Sequence, residues 1–89
     1  MNRRLAIETS AGLLVDAVAI PPGTDHAYAE AEWRDALVLI DQGVLDLECT
    51  DGGVWRFTHG AILCLANLPL RSLRNQGSEP LSLTRVRRS

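Results

Sequence analysis

Turn-forming residues punctuate this chain so often that no apolar run lasts for three turns of a helix. Pro21-Pro22-Gly23, Asp41-Gln42-Gly43, Thr50-Asp51-Gly52-Gly53, His59-Gly60 and the Gln-Gly-Ser-Glu-Pro of 76–80 are the strongest of these breaks, and Thr-Ser-Ala-Gly at 9–12 adds another. Between them lie short runs at 5–8, 13–20, 26–33, 36–40, 44–49, 54–58, 61–65, 70–74 and 81–87. Several alternate in the manner of half-buried strands: Leu45 and Leu47 against Asp46 and Glu48, Trp55 and Phe57 against Val54, Arg56 and Thr58. From 26 to 33 the alternation is strict, with Ala27, Ala29, Ala31 and Trp33 on one side and His26, Tyr28, Glu30 and Glu32 on the other. No segment shows an apolar stripe at helical spacing, so 26–33 is also read as a strand. Eight or nine short strands with turns roughly every ten residues predict an all-β sandwich or barrel.

Size sets the second constraint. A chain of 89 residues makes one domain and buries only about 60–65% of its unfolded surface, so it gains from pairing with a second copy through Leu37, Leu39 or the first strand. A hydrophobic content of 46% excludes disorder, although it comes mostly from aliphatic residues; Trp33, Trp55, Tyr28 and Phe57 are the aromatic ones. The formal charge of −2 conceals an uneven layout, with Arg3, Arg4, Arg85, Arg87 and Arg88 at the ends and acids concentrated over 25–51. Without a basic excess or interleaved aromatics these arginines read as solvated strand ends, and nucleic acid is not an expected partner. No apolar run reaches the roughly 18 residues of a membrane span, and the opening Met-Asn-Arg-Arg-Leu-Ala-Ile-Glu turns polar too soon for a signal peptide. Two cysteines, Cys49 and Cys64, are then expected as reduced thiols of a soluble cytoplasmic protein, Cys64 in the core.

The run over 60–75 reads as a turn glycine, an apolar strand, a proline-bearing corner and a second strand that carries Arg71 and stops at Asn75. Its spacing resembles the second motif of the cupins: a glycine, five residues, Pro-x-Gly, two residues, His, three residues and Asn. Here Gly60 and Asn75 stand in place, Ala66-Asn67-Leu68 replaces Pro-x-Gly, and Arg71 replaces the histidine. The first cupin motif runs from a glycine through His-x-His and Glu to a second glycine. Counting between Gly23 and Gly43 puts Ala29 and Ala31 at the histidines and Ala36 at the glutamate. The segments 39–45 and 77–81 are also similar to those that flank the motifs in cupins. The resemblance covers about 13–86, a single domain over 1–89. It implies a double-stranded β-helix, a jelly-roll barrel of two antiparallel sheets, in which those positions point inward. In cupins they hold a divalent metal. Alanine offers no lone pair and a guanidinium binds no cation, so the resemblance implies neither metal nor cofactor here.

In that register the pocket is bounded by Arg71 and Asn75 and walled by Ala29, Ala31, Ala36, Val38 and Ile40. Trp33 lies on the same side, and it and Trp55 are read as packing residues or as a platform for a ligand. Arg71 either fixes a carboxylate or phosphate or pairs at the rim with Glu30, Glu32 or Asp35. Arg74 is read as solvated and His59 as a turn residue. The row His26, Tyr28, Glu30 and Glu32 has acid/base character, yet this register turns it to the opposite side of its sheet; a slip of one residue would bring it into the pocket. No nucleophile signature surrounds Ser10, Ser72 or Cys64. The expected function is thus the binding of a small, anionic organic molecule. A metal-independent isomerase or epimerase using His26 and Tyr28 is the alternative, and a structural or protein-interaction module the third reading. Metal analysis of dialysed protein is expected to find no stoichiometric iron, nickel, manganese or zinc; one retained equivalent would overturn the register.

Overall fold

A computed structural model describes residues 2–8, 12–33 and 35–88. Nine strands and one helical turn follow in order: β1 Asn2–Glu8, β2 Leu13–Ile20, β3 Thr24–Ala27, α1 Glu30–Trp33, β4 Leu37–Gln42, β5 Val44–Cys49, β6 Val54–Thr58, β7 Ile62–Cys64, β8 Leu70–Asn75 and β9 Leu81–Arg88. They form two antiparallel sheets, one ordered β1-β2-β9-β4-β7 and the other β3-β8-β5-β6. The fold is the expected all-β one. Apart from Gly12, the expected turn over 9–12 lies outside the described residues.

The strands meet where the turn residues require it. Gly43, between β4 and β5, has φ +93, and a Cβ there would lie 2.8 Å from the Pro80 carbonyl oxygen and 3.0 Å from the Leu81 Cα. Only glycine lets the β4–β5 turn pass so close to the start of β9. Two ladders also slip by one residue. In β4–β9 the register passes from Ile40↔Leu83 to Gln42↔Ser82, leaving Asp41 as an extra residue. In β5–β8 it passes from Glu48↔Ser72 to Cys49↔Leu70, leaving Arg71 as one.

Alternation packs the space between the sheets. Val18, Ile20, Val38, Ile40, Leu45, Leu47, Leu73, Leu81 and Leu83 are all at most 1% exposed. Two residues depart from expectation by lying at the surface. Cys64 is exposed on β7, the edge strand of its sheet, while Cys49 is buried. Trp55 is 49% exposed although it stands opposite the inward Leu47, because β6 is likewise an edge strand with no neighbour to cover the indole.

The third departure lies at the centre. Arg85, read from sequence as a solvated strand end, is 0% exposed, as it alternates with Leu81 and Leu83 on the inner face of β9. Its Nε donates to Asp16 Oδ1 at 3.0 Å and its Nη2 to Asp16 Oδ2, across the β2–β9 ladder. Nη1 donates to the Glu32 carbonyl at 3.3 Å, and the Trp33 ring centroid lies 4.8 Å from the guanidinium carbon. Removing one member of a buried pair strands the other charge and costs about 3–5 kcal/mol, whereas replacing both with apolar residues is often neutral or stabilising. Urea unfolding should therefore show Asp16→Ala destabilised by about 3–5 kcal/mol, with most of the loss absent in the double variant Asp16→Leu/Arg85→Met.

Candidate functional site

The mouth of the barrel is built where the sequence alternates alanine with charged residues. Here the chain leaves the sheet after Ala27, and 30–33 closes into a single helical turn, with Glu32 N–H donating to the Ala29 carbonyl at 3.0 Å and Ala36 N–H to that of Trp33 at 3.1 Å. Alanine and glutamate are strong helix formers and weak strand formers, and alanines on one face of a strand bury too little to oppose that preference. The expected strand over 26–33 is thus corrected to β3 followed by α1. Ala29 and Ala31 are exposed and line no inner wall. Trp33, which ends the turn, is fully buried, and Ala36, Val38 and Ile40 lie inward as expected.

The register of β3 is the reverse of the one the motif count gives. His26 stands opposite Leu73, which is wholly buried, and directly opposed residues of an antiparallel pair share a face. His26 therefore looks inward. Tyr28 is half-buried and packs against the core. Glu32 brings its Oε2 to 3.9 Å from His26 Nε2.

Arg71 does not join them. As the extra residue of the β8 bulge it leaves the alternation that would have aimed a histidine inward. It is exposed, and its Nη2 donates to the Thr50 carbonyl at 3.0 Å rather than to Glu30, Glu32 or Asp35. Asn75, at the other end of β8, is 0% exposed with its side chain fully engaged. Nδ2 donates to the Ile20 carbonyl at 2.9 Å and to that of Glu79 at 2.8 Å, and Oδ1 accepts from Gly77 N–H at 3.1 Å. Asn75 borders a depression of about 220 Å³ with Gly43, Val44 and Glu79, but its polar atoms tie the end of β2 to the 76–80 turn and do not face a ligand.

On the outer face of the second sheet, Arg74 is paired rather than solvated, with Asp25 at 3.0 Å and Glu48 at 3.6 Å. Arg56 forms a two-point pair with Asp46 at 2.8 and 3.1 Å. The hydrogen-bonded carboxylates, Asp25 for Arg74 and Asp46 for Arg56, hold both guanidinium pKa values above the ordinary arginine value. These contacts pin the sheet from outside and leave the mouth untouched.

Sequence reasoning missed the Asp16–Arg85–Trp33 stack. Its signal was present: Asp16 interrupts an apolar strand, and Arg85 keeps the parity of Leu81 and Leu83. Among the described residues no three His, Cys, Asp or Glu side chains converge on a point that could hold a metal ion. With Ala29, Ala31, Ala36 and Arg71 in the positions counted for ligands, the donor set does not fit a divalent metal.

No protein-family model matches the sequence, and no curated protein matches it. Solved structures do. An uncharacterised conserved protein with a double-stranded β-helix domain from Klebsiella pneumoniae superposes with a TM-score of 0.72 at 17% identity, over 96% of this chain and 74% of its own. An RmlC-like cupin family protein from Methanocaldococcus jannaschii gives 0.66 at 16%, over 85% of this chain and 69% of its own. A cupin domain from Bordetella pertussis gives 0.63 at 20%, over 100% and 98%. At such identities the likeness shows the fold, and that fold is the cupin double-stranded β-helix.

Because Asn75 holds three backbone groups, Asn75→Ala should lower stability by about 2–4 kcal/mol in chemical denaturation, at roughly 1 kcal/mol or more for each lost hydrogen bond in a buried setting. The same variant should leave any ligand-induced stabilisation at the mouth unchanged.

Proposed function

We propose that this chain is a small-molecule binding module that works from the mouth of its barrel without a metal in the place its fold resemblance implies. The observation that carries the reading is Trp33. Its indole is wholly buried, yet Nε1–H has no acceptor among the described residues, and an unpaired buried donor costs about 1–3 kcal/mol. Buried polar groups are almost always satisfied by protein, water or ligand. A carbonyl or carboxylate oxygen brought by a ligand would complete this donor, beside a ring already stacked on the Arg85 guanidinium.

The surroundings suit such a guest. His26 faces inward from β3 and Tyr28 packs against the core just beyond it, a core to which Ala36, Val38 and Ile40 contribute buried apolar side chains. Arg71 supplies an exposed cation at the same end, since its own carbonyl accepts from Tyr28 N–H at 2.9 Å. Entry requires α1 to shift. A single turn of four residues has no intrinsic stability; this one is fastened by the Glu32 carbonyl on Arg85 and by the His26–Glu32 contact.

A second reading rests on His26. Facing inward with the Glu32 carboxylate 3.9 Å away, it forms the acid–base pair that a metal-independent isomerase or epimerase needs. On that reading His26→Gln removes turnover and leaves binding nearly intact. If neither binding nor turnover is found, the structural or protein-interaction role remains.

Thermal-shift screening against sugar acids, keto acids and nucleotides, with each stabilising compound then assayed for turnover, decides among the three. A carboxylate-bearing compound should raise the melting temperature of the wild type. Trp33→Phe keeps a ring and removes the N–H, so the affinity for that compound should fall about tenfold, equivalent to about 1.4 kcal/mol. Arg71→Ala should weaken anions selectively. A compound that stabilises wild type and Trp33→Phe equally would remove Trp33 as the anchor.

A further inference from the structure

Two arginines stand on the inner face of β9, and the fold supplies an acid to only one of them. Leu81, Leu83, Arg85 and Arg87 share that face by the pleat, so Arg87 lies about 6.6 Å beyond Arg85 along the strand. Across the ladder, β2 places Asp16 opposite Arg85 but Leu14 opposite Arg87. On the other side, β4 sets Val38 against Arg85 and Leu37 against Val86, and the residue before Leu37 is the buried Ala36. Neither neighbouring strand offers Arg87 a carboxylate. The side chain is half-buried, and its Nε, closed off from solvent, has no hydrogen-bond partner among the described residues. The other buried side-chain donor in that condition is the Trp33 indole N–H. Both therefore flank the same paired guanidinium, Trp33 by lying 4.8 Å from it and Arg87 by its place on the strand. Buried polar atoms without partners are rare, and these two are both donors at one end of β9, where α1 is bound through the Glu32 carbonyl.

We propose that Arg87 and Trp33 together hold the carboxylate of a small organic acid, Arg87 by its Nε edge and Trp33 by its indole N–H. This rests on the reading of the barrel mouth as a binding site, and it names the charge partner and the ligand class of that site. The contact already exists one step along the strand, where the Asp16 carboxylate takes Arg85 through Nε and Nη2; a ligand carboxylate repeats that two-point geometry on Arg87. Charge favours it too, since one acid among Asp16, Arg85 and Arg87 leaves one positive charge in excess. A planar group with two oxygens matches an arginine edge and one further N–H. Phosphate and sulfate bring a tetrahedron of oxygens, and the side chains of Leu14 and Ala36 have no donor for the remainder.

Nuclear magnetic resonance of isotope-labelled protein reads both donors directly. Pyruvate or acetate should shift the Trp33 indole and Arg87 Nε–H resonances along one saturation curve, whereas inorganic phosphate at equal ionic strength should move neither. Trp33→Phe assigns the indole signal, because Trp55 is the other tryptophan. Arg87→Met keeps an aliphatic stem without the fork, so its affinity for pyruvate should fall at least about tenfold, as for a lost charge-assisted pair. Arg71→Ala, which removes an exposed cation, should lower it less, and Arg88→Met on the outer face should leave it unchanged. Without ligand, Arg87→Met should melt no lower than the wild type, since it breaks no ion pair and removes an unpartnered donor. Should that variant fold poorly, Arg87→Lys keeps the charge without the Nε edge and carries the same affinity test. A carboxylate that shifts the Trp33 signal yet binds the Arg87 variants as tightly as the wild type would leave the mouth as a binding site and overturn the role of Arg87. Phosphate binding as tightly as pyruvate would overturn the ligand class. No movement of either signal by pyruvate or acetate at tens of millimolar would overturn the proposal, while a larger compound found by thermal shift would still uphold the site.

Discussion

The interior of this barrel is organised by one ion pair. Arg85 and Asp16 are directly opposed on neighbouring strands, both 2% exposed or less, and the guanidinium carries an indole on its face. Two charges removed from water are tolerable only if their geometry is good and their remaining donors are met. The fork-to-fork contact with Asp16 meets two donors, and the Glu32 carbonyl meets a third. That last bond fixes α1. Placing Arg85 therefore also places the turn that carries Trp33 and covers the mouth, and one side chain ties α1 to the β2–β9 ladder.

Bulges decide what the motif positions do. A spacing count assumes that every residue of a strand keeps its parity, so that a side chain six places from another faces the same way. One extra residue in β8 is enough to remove Arg71 from that scheme and leave it on the Thr50 carbonyl. The extra residue in β4 delivers Asp41 to the hydroxyl of Thr84 on the outer face. Spacing located both segments in the fold; only the ladder says which way their side chains look.

Sequence legibility followed the strength of the local signal. Strands over 13–20, 44–49, 54–58 and 81–87 could be read because bulky apolar residues alternate or run between strong breakers. Gly43 could be read as a framework position, and its reason proved to be the close passage of the Pro80 carbonyl. The stretch over 26–33 misled because its alternation was of alanine. A methyl group on every second residue has the period of a strand without the burial that holds one, and the helix preference of Ala and Glu prevailed in the last four residues. Terminal arginines misled in the opposite way, since composition placed them in solvent while the parity of Leu81, Leu83 and Arg85 placed one of them in the core.

The loss of donors at the ligand positions has a structural counterpart. A barrel that holds a metal must keep lone pairs pointed inward and room around them. In this chain the inward positions are filled by aliphatic side chains and by the neutralised Arg85–Asp16 pair, with Trp33 closing over it. At the mouth, His26 and Glu32 lie 3.9 Å apart beside the turn that carries Trp33, whose indole N–H has no acceptor among the described residues. Packing the centre supplies burial that so small a domain needs. It leaves the apolar rows of Leu37, Leu39 and Ile62 outside the core they could have enlarged.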